Sequence, residues 1–130
     1  MESDQQKYIQ LQVLEQQLTQ IQNNLQMLEQ QLSEIEAIKA SITEFEGLKK
    51  DSEVLMPIAN GIFANAKLQD NSELLVNVGS GIVVKKSIKE TIELMDNQGK
   101  EIEKYRVQMA EQMQKVIGMI ETLQLGLDKE

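Results

Sequence analysis

From Leu11 onward, apolar residues recur at intervals of three and four without a break: Leu11, Leu14, Leu18, Ile21, Leu25, Leu28, Leu32 and Ile35. That alternation holds an apolar seam on one side of a helix and turns it towards a partner helix. The last third of the chain carries a second seam, Ile88, Ile92, Met95, Gly99, Ile102, Arg106, Met109, Met113, Val116, Ile120, Leu123 and Leu127, in which only Gly99 and Arg106 are not apolar. Two helices of about 40 residues, each roughly 60 Å long at 1.5 Å per residue, are expected to pair as an antiparallel coiled-coil hairpin. The pattern predicts a weak or bent point at Gly99 and a charge at Arg106 that reaches for a carboxylate. After Ile35 the next apolar residues, Ile38, Ile42 and Phe45, follow at three, four and three, which predicts a stammer and local overwinding. Gly47, Lys49, Lys50, Asp51 and Ser52 read as a helix stop, and Ser87 with Glu90 as the capping box that opens the second helix.

Between the seams the pattern changes to β-branched residues and turn dipeptides. Strands are expected at 53–58, 62–68, 74–78 and 82–86, joined by Asn60-Gly61, by Gln69 to Ser72 and by Gly79-Ser80-Gly81. Pro57 confines the first strand to an edge or an end. Four short strands are too few to be stable alone, and their edges need covering by other chains. Val54, Met56, Ile58, Ile62, Leu74, Val76, Val78, Ile82 and Val84 are the residues expected to mediate that assembly. The chain thus divides into an N-terminal coiled-coil helix (1–52), a β-hairpin oligomerisation domain (53–86) and a C-terminal coiled-coil helix (87–130). The fold class is α+β: a long antiparallel coiled-coil hairpin joined by a small two-hairpin β-domain that completes an oligomeric β-barrel.

Composition narrows the function. Two Phe, two Tyr and no Trp leave burial to aliphatic side chains, which suits helix seams. A net charge of −8 repels phosphate backbones, so nucleic acid is not an expected partner, nor is the basic helical arm of a tRNA synthetase a fitting comparison. With no Cys and no His, neither disulfides nor thiol chemistry, nor the commonest base and metal ligand, is available. The carboxylates are spread over helix faces and read as solvated surface; no catalytic residue, metal site or cofactor is expected. Gly79-Ser80-Gly81 joins strand to strand and lacks a following Gly-Lys-Ser/Thr, so it is not a phosphate loop. The acidic polar N-terminus and the absence of a long apolar run give the expectation of a soluble, cytoplasmic protein without a membrane partner.

The segment Val54-Leu55-Met56-Pro57-Ile58-Ala59-Asn60-Gly61, then Ala64 to Leu68, then Leu74-Leu75-Val76-Asn77-Val78-Gly79-Ser80-Gly81-Ile82-Val83-Val84-Lys85-Lys86, set between two heptad helices, resembles the alpha-class subunit of prefoldin over essentially the whole chain. The resemblance implies an ATP-independent chaperone: a heterohexamer of two alpha-class and four beta-class subunits that holds non-native proteins at coiled-coil tips and passes them to a group II chaperonin. Two β-hairpins place the chain in the alpha class, since beta-class subunits carry one. Ala59-Asn60-Gly61 stands where the family often has a more glycine-rich turn.

Antiparallel pairing would set residues 8–18 beside residues 117–128. There Tyr8, Ile9 and Val13, with Ile117, Met119 and Leu125, are apolar yet off the seam, and they are the expected client-binding residues. Off-seam apolar side chains are sparser elsewhere on the helices, Met27 and Val107 being the clearest. Met109 and Met113 lie on the seam and are expected in the core. The competing reading is a coiled-coil structural adaptor that assembles through the β-domain and uses the helices as a spacer.

Overall fold

The computed structural model describes residues 3–128; the outermost residues of the first and third stretches, 1–2 and 129–130, lie outside the described residues. The element order is α1 (Asp4–Glu46), β1 (Glu53–Ala59), β2 (Ile62–Lys67), β3 (Glu73–Gly79), β4 (Ile82–Ser87) and α2 (Ile88–Asp128). The described chain forms two compact units, one of residues 3–33 with 99–128, the other of residues 34–98.

In the first unit, α1 and α2 pair along the predicted seam. Ile21, Val116 and Ile120 are buried, with Leu11, Leu14, Leu18, Leu25, Met109 and Met113 packed against them. Pairing is antiparallel: a Cβ on Gly126 would lie 3.8 Å from Lys7 Nζ, at the end of the unit that carries both ends of the described chain. Helix α1 opens on a capping box absent from the sequence reading, in which Gln6 N donates to Ser3 Oγ (3.2 Å) and Ser3 N to Gln6 Oε1 (3.1 Å). The Ser-x-x-Gln signature was there to be read. Arg106 meets the expectation of a seam cation that seeks a carboxylate. Its Nε and Nη2 donate to the two oxygens of Glu103 at 2.8 and 2.5 Å, which holds the Glu103 carboxyl below its ordinary range and raises Arg106.

The second unit moves the predicted stammer along α1. Lys39 takes the seam position after Ile35 and its side chain is only 27% exposed, whereas Ile38 is 45% exposed. After Ile35 the half-buried positions are therefore Lys39, Ile42 and Phe45, at four, three and three, so the two adjacent threes fall near the end of α1 rather than at Ile35. Counting apolar residues alone missed this, because the four-carbon stem of a lysine fills a seam position while its ammonium reaches a partner. That partner is Asp96 of α2, at 2.6 Å from Lys39 Nζ to Asp96 Oδ1.

Helix α1 stops as expected, but Gly47 is not the left-handed residue. Gly47 N and Leu48 N bond back to Glu44 O and Phe45 O in a tightened last turn, and the positive φ falls at Asp51 (67°). The helix end is also capped from 23–26 residues away: the Asn71 side-chain amide donates to Phe45 O (3.3 Å), Glu46 O (3.1 Å) and Leu48 O (2.6 Å). Asp70 sets the turn that delivers Asn71 by accepting Ser72 N at 3.0 Å and Ser72 Oγ at 2.8 Å. The box at the start of α2 forms as expected, with Ser87 N to Glu90 Oε1 at 3.2 Å and Glu90 N to Ser87 Oγ at 3.1 Å.

The strands make two separate antiparallel hairpins, β1-β2 and β3-β4, with boundaries within a residue of those expected. Their registers are the same, displaced by 20 residues. Glu53 pairs with Lys67 and Glu73 with Ser87, Pro57 with Phe63 and Asn77 with Val83, Ala59 with Ile62 and Gly79 with Ile82, and the irregularity falls at Ile58 in one and Val78 in the other. The turns differ. Ser80 and Gly81 are both left-handed (φ 52° and 75°), as a tight two-residue hairpin loop requires, whereas at Asn60-Gly61 only Gly61 is (75°).

Candidate functional site

A helix built on a 3–4 seam leaves its other positions to solvent, and off-seam apolar side chains stand out there. At the end of the first unit where Lys7 lies beside Gly126, Tyr8, Ile9, Val13, Met119 and Leu125 are all exposed, the last at 62%. Ile117 is half-buried and does not share that exposure: it follows Val116 on the seam and turns partly into the helix pair. The structure gathers three of the six around one surface. Ile9, Val13 and Met119, with Gln10 and Leu14, line a depression of about 350 Å³. A second depression of about 590 Å³ shares Gln10, Leu14 and Met119 and extends over Gly118 to Thr122 and Leu123, with Lys115 at its rim. Gly118 opens this space, since nothing lies within 4 Å of where its Cβ would be. Tyr8 and Leu125 line neither depression. Tyr105, one residue before the seam residue Arg106, is also exposed and was missed; its off-seam position was the available signal.

The hairpins form the second surface. Val54, Leu74, Val76 and Val84 are half-buried, while Met56, Ile58, Ile62, Val78 and Ile82 are exposed. The opposite faces are apolar too: Leu55, Phe63, Leu75 and Val83 are exposed, Leu75 at 72%. The residues expected to mediate assembly do not include these four. The runs Val-Leu-Met and Ile-Val-Val are continuous, the signature of strands covered on both faces.

Chemistry of other kinds has little to work with. Among the described residues, no group of three or more Asp or Glu is placed to hold a metal ion, and no helix is long and apolar enough to cross a membrane. The glycine-serine-glycine segment is a hairpin turn, as its strand-to-strand position required.

Two heptad helices joined by two antiparallel hairpins with exposed apolar faces form a distinctive combination, and the profile of the family described as "Prefoldin subunit" matches residues 14–129. The chain belongs to the prefoldin family. Its fold is similar to that of a filamentous prefoldin from Methanocaldococcus jannaschii determined by cryo-EM, with a TM-score of 0.80 at 16% identity, covering 88% of this chain and 95% of that one. At that identity the likeness speaks for the fold. No curated protein sequence matches the chain significantly. Prefoldin is a chaperone family, so the chain is a chaperone-type subunit, and the family implies oligomeric assembly with other prefoldin subunits and binding of substrate polypeptides. Nothing points to catalysis.

Proposed function

We propose that the chain is an alpha-class prefoldin subunit that holds unfolded polypeptides without ATP. Two hairpins support the alpha class. Assembly runs through the apolar hairpin faces, in a complex of two alpha-class and four beta-class subunits in the cytoplasm, and clients pass to a group II chaperonin. The observation that carries the holding reading is the strip of Ile9, Val13 and Met119 around adjoining depressions at one end of the helix pair. Burial of apolar client side chains there releases roughly 25 cal/mol per Å², and several such ends in one complex sum weak contacts into useful avidity.

The deciding experiment mixes the chain with a beta-class partner, measures the mass of the complex, and follows aggregation of a denatured model protein without nucleotide. The quadruple variant Ile9→Ser, Val13→Ser, Met119→Ser and Leu125→Ser assembles normally and loses protection. A variant that still protects at the wild-type ratio places the client surface elsewhere, and protection that requires ATP overturns the reading.

A second reading is assembly of this chain with itself. Free strand edges on both hairpins favour it, as does the filamentous form of the structurally similar prefoldin. The mass of the chain alone separates the two, and a chain that assembles but protects nothing is the spacer-type adaptor.

A further inference from the structure

The charge of this protein is unevenly distributed. From Tyr8 to Ser33, eleven residues are Gln or Asn and only Glu15 and Glu29 are charged. With Leu11, Leu18, Leu25 and Leu32 as a positions and Leu14, Ile21 and Leu28 as d positions, both glutamates fall at e. The c, f and g positions are Ile9, Gln10, Val13, Gln16, Gln17, Gln20, Asn23, Asn24, Met27, Gln30 and Gln31, without a single charge. In an antiparallel pair the g side of one helix meets the g side of the other, and those positions on α2, Tyr105, Gln112, Met119 and Gly126, are uncharged as well. The structure joins the two sides: Gln17, Gln20, Asn24 and Gln112 surround a depression of about 300 Å³ floored by Ile21 and Met109. Among the described residues, those four amides make no side-chain hydrogen bond.

A solvated helix face needs none of this. Glu and Lys form helices as well as Gln does and add i,i+4 pairs, whereas Asn is a poor helix former, so Asn23-Asn24 costs local stability. A side-chain amide offers a donor pair and an acceptor, the same groups as a peptide bond, and it carries no charge to repel or attract a client's side chains. Spacing supplies a second match. Gln17, Asn24 and Gln31 recur every seven residues, about 10.5 Å along a helix, and one three-residue turn of a polyproline II chain covers about 9 Å. Every third peptide group of a chain in that conformation faces the same side and can meet an amide.

We infer that this uncharged g-side face is a track for the main chain of an extended, non-native polypeptide, continuing from the apolar depressions at Ile9, Val13 and Met119. The inference rests on the holding function proposed above and adds how recognition stays independent of client sequence: apolar side chains are taken at the end, and peptide groups along the amides. Among candidate occupants a neutral main chain fits best, because a folded acidic or basic partner would find no charge here to pair with.

The test uses the assembled full-length protein and a fluorescent 15-residue peptide of Ala, Ser and Thr with two Leu, beside a twin N-methylated at every third residue. The twin keeps its side chains and loses every third peptide donor. Wild-type protein binds the unmethylated peptide about tenfold more tightly than its twin, and the variant Gln17→Ala, Gln20→Ala, Asn24→Ala, Gln112→Ala abolishes that preference while its helical circular dichroism is retained. Equal binding of the two peptides by wild type, or a preference that survives in the variant, overturns the amide track and leaves the holding function standing. Failure of wild type to bind either peptide or to protect a denatured protein overturns both.

Discussion

Lys39 Nζ lies 2.6 Å from Asp96 Oδ1, a contact between the two helices made from a seam position that apolar counting had assigned elsewhere. The hydrogen bond from Lys39 to Asp96 raises the lysine pKa, with coulombic attraction from Asp96 and Glu36 adding to it. A polar residue at a single seam position fixes register at a cost in stability. Replacing Lys39 with Leu should raise the thermal midpoint, whereas Asp96→Ala, which strands the ammonium, should lower it. Thermal melts of the two variants check the opposite signs; equal shifts in one direction would remove the register role.

Two glycines should respond to alanine in opposite ways. Gly81 is left-handed in the second hairpin turn, so Gly81→Ala costs about 1 kcal/mol. Gly118 is helical with open space around it, so Gly118→Ala gains roughly 0.5–1 kcal/mol. Urea unfolding measures both. Because that methyl also enters the 590 Å³ depression, a more stable Gly118→Ala protein with weaker client protection would tie that surface to function.

Asn71 closes the end of α1 through three carbonyls. Asn71→Ala should cost about 1–2 kcal/mol in urea unfolding, and Asn71→Asp more, since a carboxylate there faces carbonyl oxygens and the negative end of the helix. A neutral result for Asp would show that the cap contributes nothing.

The Glu90 carboxyl is held below its ordinary value near 4.5 by the backbone hydrogen bond from Ser87, then by the Ser87 hydroxyl and the Lys86 charge. A lowered folded-state pKa stabilises the fold above the unfolded-state value, and that contribution is lost as pH falls through the folded-state value. Between pH 5 and pH 3 the wild type should therefore lose more stability than Glu90→Gln, which keeps the box but has no proton to take up. Parallel thermal melts across that range decide it.

The helices, their pairing and both hairpins were legible because heptads and turn dipeptides act locally. Lys39 was not, since an apolar pattern cannot show a lysine that spends its stem in the seam. The cap by Asn71 was hidden for another reason: it joins residues more than 20 apart, and nothing local at Phe45 announces it. At the candidate site, the exposure of Ile9, Val13 and Met119 was legible because off-seam apolar residues are conspicuous, whereas the half-burial of Ile117 was not, because a position beside the seam can turn inward. The apolar face of Leu55, Phe63, Leu75 and Val83 was overlooked because it is exposed in the single chain, where burial gives no reason to expect apolar residues on both strand faces.

The constant displacement of 20 residues between the hairpins makes them interchangeable modules. Excising residues 60–79 would join Ala59 directly to Ser80-Gly81 and lay β1 against β4, with Glu53 opposite Ser87 and every intervening pair in its present phase. Helix α2 would keep its Ser87–Glu90 box, while α1 would lose the cap that Asn71 supplies. A gene for such a chain thus contains, nested in frame within itself, a one-hairpin sibling, and gain or loss of the repeat carries the α1 cap with it.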